Sequence, residues 1–396
     1  MRFTGGMPST EKLEARRAAQ DALYERYVAY KNGPQWARFQ ELEALERSGE
    51  PQRVEAEYRR MVYAGSPEEA KMDEFERLRK SAAVSKVLKG GGDVNHPEYQ
   101  RFRALEKELN SPEFSERVAF LKDKDKYQHS EVAKAMNELR ALRTSSELKW
   151  FLATGKRADI RRRESEEVIL FDDFDGRQMD AKLWSPRFFW ADALVGQSFS
   201  MSTDPQCYTD GKNVALRNSC LVIETRRERA EGVVWDRALG FMPKRFSYTS
   251  GLLNTAQGFH FEEGLLEAKI RFKGDPGVVH ALYMRTGQQC PQIDVFRSSP
   301  KGDTLEGRYT VAPDVVRSSE VGRLPYSDKF FILSLRKEPG RMVWAINGVT
   351  FHEERRDLPN SPLHFVFAST ILPGYEPAGV STLEIDWVRC TVPRHA

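Results

Sequence analysis

The sequence has few of the residues that redox and metal chemistry depend on: four cysteines and seven histidines in 396 residues. The cysteines, Cys207, Cys220, Cys290 and Cys390, all fall in the second half without a C-x-x-C pair, so neither a zinc ribbon nor a thioredoxin-like redox motif is indicated. Reduced, structural cysteines are the simplest expectation, with a disulfide left open. The histidines of the first half, His96 and His129, stand far apart in polar stretches, which argues against a metal or catalytic pair there.

Long hydrophobic runs are missing too. No stretch approaches the ~18 consecutive apolar residues of a membrane-spanning helix, and the opening MRFTGGMPST lacks the apolar run of about 7–15 residues that a secretory signal requires. As it stands the chain is expected to carry no membrane span and no export signal. That reads as cytoplasmic, or as secreted or cell-surface if a leader precedes Met1, so the compartment stays open. Nor is there an excess of one charge: 61 Lys and Arg against 58 Asp and Glu, a formal +3 spread over both halves, give no net electrostatic reason to expect a nucleic acid partner. The densest basic cluster, Arg157 to Arg163, is short and has no interleaved aromatics, as in a solvated linker or helix end.

What is present suits a folded chain of two domains. With 40% hydrophobic and 11% aromatic residues, the composition can build more than one core, and the length exceeds that of one typical domain. From Thr10 to about Glu166, apolar residues recur every three and four positions among Glu, Lys, Arg, Ala and Leu, which predicts amphipathic helices. Helix breaks are expected at Asn32-Gly33-Pro34, Gly49-Glu50-Pro51, Gly65-Ser66-Pro67, Gly90 to Gly92 and Ser111-Pro112. These breaks are too frequent for a long continuous coiled coil. Ser66 with Glu69 reads as a capping box, and Ser111 with Ser115 as a poorer one.

A degenerate repeat is visible in Phe39, Leu42 and Leu45, in Phe102 and Leu105, and in Met136, Leu139 and Leu142. Each copy is followed by a serine nine residues after its first member, namely Ser48, Ser111 and Ser145, and Phe75 and Leu78 form a weaker copy. The spacing is too irregular for a regular solenoid and suits stacked helical hairpins. Residues 1–160 are therefore expected to form a helical repeat-like domain, a spacer or a docking element for a protein partner.

After about Glu167 the texture changes to short alternating runs bounded by Gly, Asn, Asp and Pro, such as Cys220 to Thr225, Gly264 to Phe272 and Thr382 to Val388. Many short strands at this spacing predict an antiparallel β-sandwich over residues 165–396. The expected fold class is thus multidomain α and β, helices first and a jelly roll second.

The order of segments in this half resembles glycoside hydrolase family 16, in the concanavalin A-like class, from about residue 165 to 394. Leu170 to Gly176 with Leu183-Trp184 looks like that family's first strand. Asn213 to Thr225, Tyr248 to Gly251 and Phe261 to Phe272 follow in the family's order. Pro276 to Met284 takes the place of its aromatic strand, Pro291 to Arg297 the place of its catalytic motif, and Trp344 to Gly348 and Leu383 to Arg389 match late strands. The resemblance covers none of the helical half.

The resemblance implies a retaining glycosidase, which works with a nucleophile and an acid/base held about 5–5.5 Å apart. The family sets them on one strand as E-I-D-x-x-E, or as E-x-D-x-E without a bulge, because alternate strand residues face one cleft and a bulge re-aims the last. Here the run is Gln292-Ile293-Asp294-Val295-Phe296-Arg297. Gln292 stands at the nucleophile, and Arg297 (bulged register, the preferred one) or Phe296 at the acid/base. An amide is a poor nucleophile, and neither arginine nor phenylalanine protonates a leaving oxygen at neutral pH. The chain is therefore expected not to be an enzyme but a catalytically degenerate, lectin-like protein that binds a polysaccharide or other glycan.

Candidate ligand contacts are Tyr283, Arg285, Gln292, Asp294 and Arg297 on the cleft floor, with Trp190 and Trp235, and less favourably Tyr208 and Trp344, as stacking platforms. Asp294 is equally readable as a buried carboxylate bonded to Gln292 or Arg297. No cofactor is required. The family often holds a structural calcium through an acidic residue of the last strand, and Asp386 matches that position. Two other readings stand beside the lectin: a structural or protein-binding scaffold that has lost sugar binding, and an active hydrolase using carboxylates outside the motif.

Overall fold

In the computed structural model, which describes residues 7–322 and 329–394, the chain divides into two compact units, Leu23–Ile160 and Met1–Ala22 together with Arg161–Ala396. The helices ahead of the first strand are α1 (Thr10–Lys31), α2 (Pro34–Arg47), α3 (Glu50–Arg60), α4 (Pro67–Arg79), α5 (Ala82–Leu88), α6 (Pro97–Leu109), α7 (Pro112–Lys122), α8 (Glu131–Thr144), α9 (Ser146–Thr154) and α10 (Ala158–Ser165), and a single turn, α11 (Ala191–Leu194), follows within the sandwich unit. None of the described helices is long and apolar enough to cross a membrane.

Their ends follow from local chemistry. Proline occupies the first turn of α2, α3, α4, α6 and α7, where its missing N–H costs no intrahelical bond. Serine side chains accept the orphan N–H groups of five helices: Ser66 from Glu69, Ser81 from Val84, Ser111 from Phe114, Ser130 from Ala133 and Ser145 from Leu148. The serines that follow each copy of the degenerate repeat sit at helix junctions: Ser48 ends α2, Ser111 opens α7 and Ser145 opens α9.

The helical unit has two small cores. One gathers Tyr27, Phe39, Leu42, Leu139, Leu148, Phe151 and Ile160. The other gathers Leu78, Val84, Phe102 and Leu105, with Phe75 stacked on Phe102 at 4.7 Å. Repeat residues thus fill both cores rather than one continuous stripe. Because Leu105 is fully buried in so small a cluster, Leu105→Ala is expected to cost the helical unit about 2–5 kcal/mol, seen as a lower midpoint in urea followed by far-ultraviolet circular dichroism. A loss below about 1 kcal/mol would mean that this cluster is not a core.

The strands are β1 (Glu166–Asp172), β2 (Phe199–Met201), β3 (Gln206–Tyr208), β4 (Val214–Arg217), β5 (Cys220–Thr225), β6 (Ala230–Asp236), β7 (Gly240–Phe246), β8 (Tyr248–Ser250), β9 (Leu252–Asn254), β10 (Gly264–Lys273), β11 (Val278–Arg285), β12 (Gln292–Ser298), β13 (Leu305–Ala312), β14 (Val315–Val321), β15 (Phe331–Glu338), β16 (Arg341–Ile346), β17 (Val349–Glu354), β18 (His364–Ile371) and β19 (Ser381–Pro393). Two antiparallel sheets form the sandwich. One runs β17-β16-β15-β10-β19-β5-β4 with β1 also on β19; the other runs β14-β13-β12-β11-β18-β9. Smaller sheets, β2-β6-β7 and β3-β8, are attached. The core between the large sheets is built from alternate residues such as Leu266, Ala268 and Ile270 of β10 facing Leu282, Ile293, Phe296 and Phe367. Trp344, a sequence-based candidate for ligand stacking, is completely buried in this core.

The division at 160–165 read from the sequence places residues 1–22 with the helices, but the described part of that segment, residues 7–22, packs with the sandwich. Thr10 Oγ1 donates to the Phe330 carbonyl at 2.6 Å, and Asn347 Nδ2 donates to the Pro8 carbonyl at 3.0 Å. Lys269 pairs with Glu14 at 2.7 Å, and Arg17 pairs with the buried Glu267, which Arg389 also holds at 2.6 Å.

Candidate functional site

The motif strand β12 contains a bulge, and the bulge decides which side chain occupies which face. Its pairing with β11 shifts register between Leu282 and Tyr283, and its pairing with β13 shifts between Asp294 and Arg297, so Val295 is the extra residue. Ile293, Val295 and Phe296 belong to the core, Phe296 stacking on Phe272 at 6.1 Å. Gln292, Asp294 and Arg297 share the opposite, outer face. Of the two registers left open by the sequence, the structure has the bulged one, with Arg297 on that face and Phe296 fully buried.

Gln292 Nε2 donates to Asp294 Oδ1 at 2.8 Å, and the Arg308 Nε lies 3.9 Å from the other Asp294 oxygen. From behind, Trp344 Nε1 donates to the Asp294 carbonyl at 3.0 Å. Asp294 is only 1% exposed. Burial pushes its carboxyl up to about 6, against the opposing pull of Arg297, the Gln292 amide and Arg308. A carboxyl poised near neutrality is suited to acid catalysis, but this one is sealed from any ligand. Asp294 therefore leaves the set of ligand contacts and becomes the buried, Gln292-bonded carboxylate that the sequence also allowed. At the other two motif positions, a neutral amide and a permanently charged guanidinium offer neither a nucleophile nor a transferable proton.

Neighbouring strands complete the outer face. Register places Arg285 beside Gln292, Tyr283 and Arg308 beside Asp294, Glu306 beside Arg297, and Glu320 directly opposite Glu306. The face has two unequal halves. On the β11-β18-β9 side it is filled by its own side chains, since Tyr283 and Phe188 pack into an apolar cluster with Tyr208, Leu252, Val366 and Ala368. Burial raises the Tyr283 hydroxyl above its ordinary range, and Tyr208, hydrogen-bonded to Thr370 at 3.0 Å, is pushed up to about 12. Trp190 is half-buried, stacked on Phe188 at 4.7 Å with the Arg285 guanidinium 5.2 Å from its ring centre. Arg285 itself donates to the Gln288 carbonyl.

On the β12-β13-β14 side a cleft of about 310 Å³ is open, lined by Arg297, Glu306, Glu320, Ser298, Ser299 and Thr304 with Val279, Pro300 and Leu372. Of the sequence-based candidates only Arg297 reaches it. Trp235, 38% exposed, lies apart on β6 of the small β2-β6-β7 sheet against Phe241. Sequence reasoning missed Glu306, Glu320 and the covering Phe188. The alternation of Leu305 to Tyr309 could have marked Glu306 as outward-facing, and the run Phe188-Phe189-Trp190 was itself a signal.

The Asp386 carboxylate does not fit a calcium site. One oxygen is held by the Lys269 ammonium at 3.0 Å and the other by the Cys220 thiol at 3.6 Å, and no group of three or more acidic, His or Cys side chains able to hold a metal occurs among the described residues. A hard cation needs six to eight oxygens, and here a side-chain ammonium holds the carboxylate instead.

No protein-family profile matches the chain, and no curated protein matches it. Solved structures do. The catalytic domain of an endo-1,3-β-glucanase (laminarinase) from Thermotoga petrophila is 19% identical over 58% of this chain and 99% of its own, with a TM-score of 0.48. The endo-β-1,3-glucanase of Pyrococcus furiosus is 18% identical over 58% and 96%, at 0.47. A non-specific endo-β-1,3(4)-glucanase of glycoside hydrolase family 16 is 21% identical over 58% and 92%, at 0.49. The similarity covers about 58% of this chain, its C-terminal antiparallel sandwich.

Proposed function

We propose that the sandwich binds a saccharide at the open half of the outer face without hydrolysing it, as a lectin-like pseudoenzyme carried with a helical unit that docks a protein partner. What supports the reading is that Gln292 and Arg297 stand where the resemblance to family 16 places the two carboxyls, while Asp294 between them is buried. The cleft beside Arg297 has a volume at the low end of those that hold small ligands, ~300 Å³ or more, and it combines charged and hydroxyl groups with apolar walls. That suits one end of a glycan better than an extended chain.

The test is binding of the full chain to β-glucans, galactans and acidic polysaccharides, with and without calcium and with product analysis on every positive. The expected result is binding without released reducing ends, weakened by at least about tenfold in Arg297→Ala, because a charge-assisted hydrogen bond is lost. Released reducing ends would overturn the non-catalytic reading, and Glu306 and Glu320, side by side on adjacent strands of the cleft, would be the carboxylates to replace first. Absence of binding would favour the scaffold reading, whose supporting observation is the filled Tyr283 and Phe188 half of the face.

A further inference from the structure

Some basic side chains of the helical unit are held by carboxylates: Arg38 by Glu138 and Glu41, Arg101 by Glu74, Arg143 by Glu43 and Glu46, Lys71 by Glu108, and Lys134 by Glu131. The lysines around one groove are not. The end of α3 and the segment after it, with Tyr58, Arg59 and Tyr63, and the end of α7 with its following loop, from Lys122 to Tyr127, enclose a groove of about 420 Å³. Three lysines line it, and none is in an ion pair among the described residues. Lys126 is 9% exposed and donates to the Leu121 and Asp123 carbonyls at 3.3 and 2.9 Å, so it serves the carbonyl end of α7. Lys122, its ammonium 4.3 Å from the centre of the Tyr63 ring, and Lys124 are exposed.

Several carboxylates near the groove are engaged elsewhere. Asp123 accepts from the Asp125 N–H at 2.8 Å and lies 3.2 Å from His129 Nδ1; Glu55 holds Arg59 at 2.6 Å; Glu68 lies 3.6 Å from Arg117; Glu69 accepts from the Gly65 N–H. The walls are Tyr58, Tyr63 and Tyr127, each half-buried, with Tyr58 edge-on to Tyr127 at 6.1 Å.

Unpaired ammonium groups beside flat rings bearing hydroxyls are the chemistry that holds an anionic group on a polar ring: the cations take the charge, the rings the apolar face and the hydroxyls the polar edge. A phosphodiester polymer needs a continuous basic track. The three lysines lie within residues 122–126 around a single groove, which favours a single charged residue over a nucleic acid. We propose that this groove binds a pyranose carrying a phosphate, sulfate or carboxylate, either free or as the end of an acidic glycan. The site is independent of the cleft on the sandwich.

The experiment is calorimetric titration of the full chain at low salt with glucose 6-phosphate, glucuronic acid, a glucuronic acid oligosaccharide, glucose and adenosine monophosphate. Both anionic sugars are expected to bind and glucose not to. Tighter binding of the oligosaccharide would identify a glycan end as the source, and equal binding a free sugar. Lys122→Gln with Lys124→Gln, at exposed positions that leave the fold intact, is expected to weaken binding at least about tenfold, whereas Lys134→Gln, a paired lysine on α8, leaves it unchanged. The proposal is overturned if glucose binds as well as its anionic derivatives, if the double variant binds as the parent does, if adenosine monophosphate binds while glucuronic acid does not, or if none of the probes binds.

Discussion

Removing residues 1–22 is expected to destabilise the sandwich by about 2–4 kcal/mol, because the buried Glu267 loses one of its two cationic partners and buried polar groups lose hydrogen bonds. In a domain of this size that lowers the thermal midpoint on the order of 10 °C. Glu267 is 4% exposed and held from two sides by Arg17 and Arg389. Without Arg17 its charge keeps a single partner in a place closed to water. The Asn347 amide loses both the Pro8 carbonyl and Thr10, and the Phe330 carbonyl loses the Thr10 hydroxyl. Arg17→Ala alone should reproduce part of the loss, about 2 kcal/mol because Arg17 keeps some contact with solvent. Arg47→Ala, which removes an exposed helix-surface pair with Glu43, should change little. Calorimetric scans of the three proteins decide the matter, and a truncated chain that melts with the parent would show that the N-terminal segment is not part of the sandwich. A fragment of the sandwich that begins at residue 165 lacks these contacts and is expected to be similarly destabilised.

The second large effect concerns Asp294. Burial raises its carboxyl from an ordinary 3.8 to about 6, so between those values the folded chain binds a proton that the unfolded chain has released. Its contribution to stability is complete below about pH 4 and is lost as pH rises through 6, amounting to about 3 kcal/mol for a shift near two units. Asparagine imitates the protonated acid and does not titrate. Asp294→Asn is therefore expected to match the parent near pH 4 and to be more stable by roughly that amount above pH 7. His280 and His364, both pushed down to about 4 by burial, work in the opposite direction over the same window. Their effect is common to both proteins, so the difference in denaturant midpoint between variant and parent is the quantity to follow. A difference that stays constant from pH 4 to 8 would show that Asp294 is ionised in the fold and not sealed. That result would reopen the outer face as a place for acid chemistry.

The helical half was largely legible because its signals are local. Proline in a first turn and serine at a helix start act through bonds within four residues, and the breaks at Pro34, Pro51, Pro67 and Pro112 fall where the helices begin. The strand alternation of residues 165–394 could likewise be read from the letters alone.

What the letters left open depended on pairing between distant strands. A slip of one residue reverses the faces of a strand, so the choice between Arg297 and Phe296 awaited the bulge at Val295, which exists only through β12's registers with β11 and β13. Lys269 beside Asp386, Glu320 opposite Glu306 and Phe188 beside Tyr283 each join residues from different elements. The docking of Arg17 on Glu267 spans 250 residues. By itself, the sequence determined the kinds of element and their order, because local backbone preference and side-chain chemistry are carried residue by residue. Which groups are sealed, which are paired and where a cleft stays open were decided only by the tertiary structure, because burial and apposition arise when separate strands and helices close on one another.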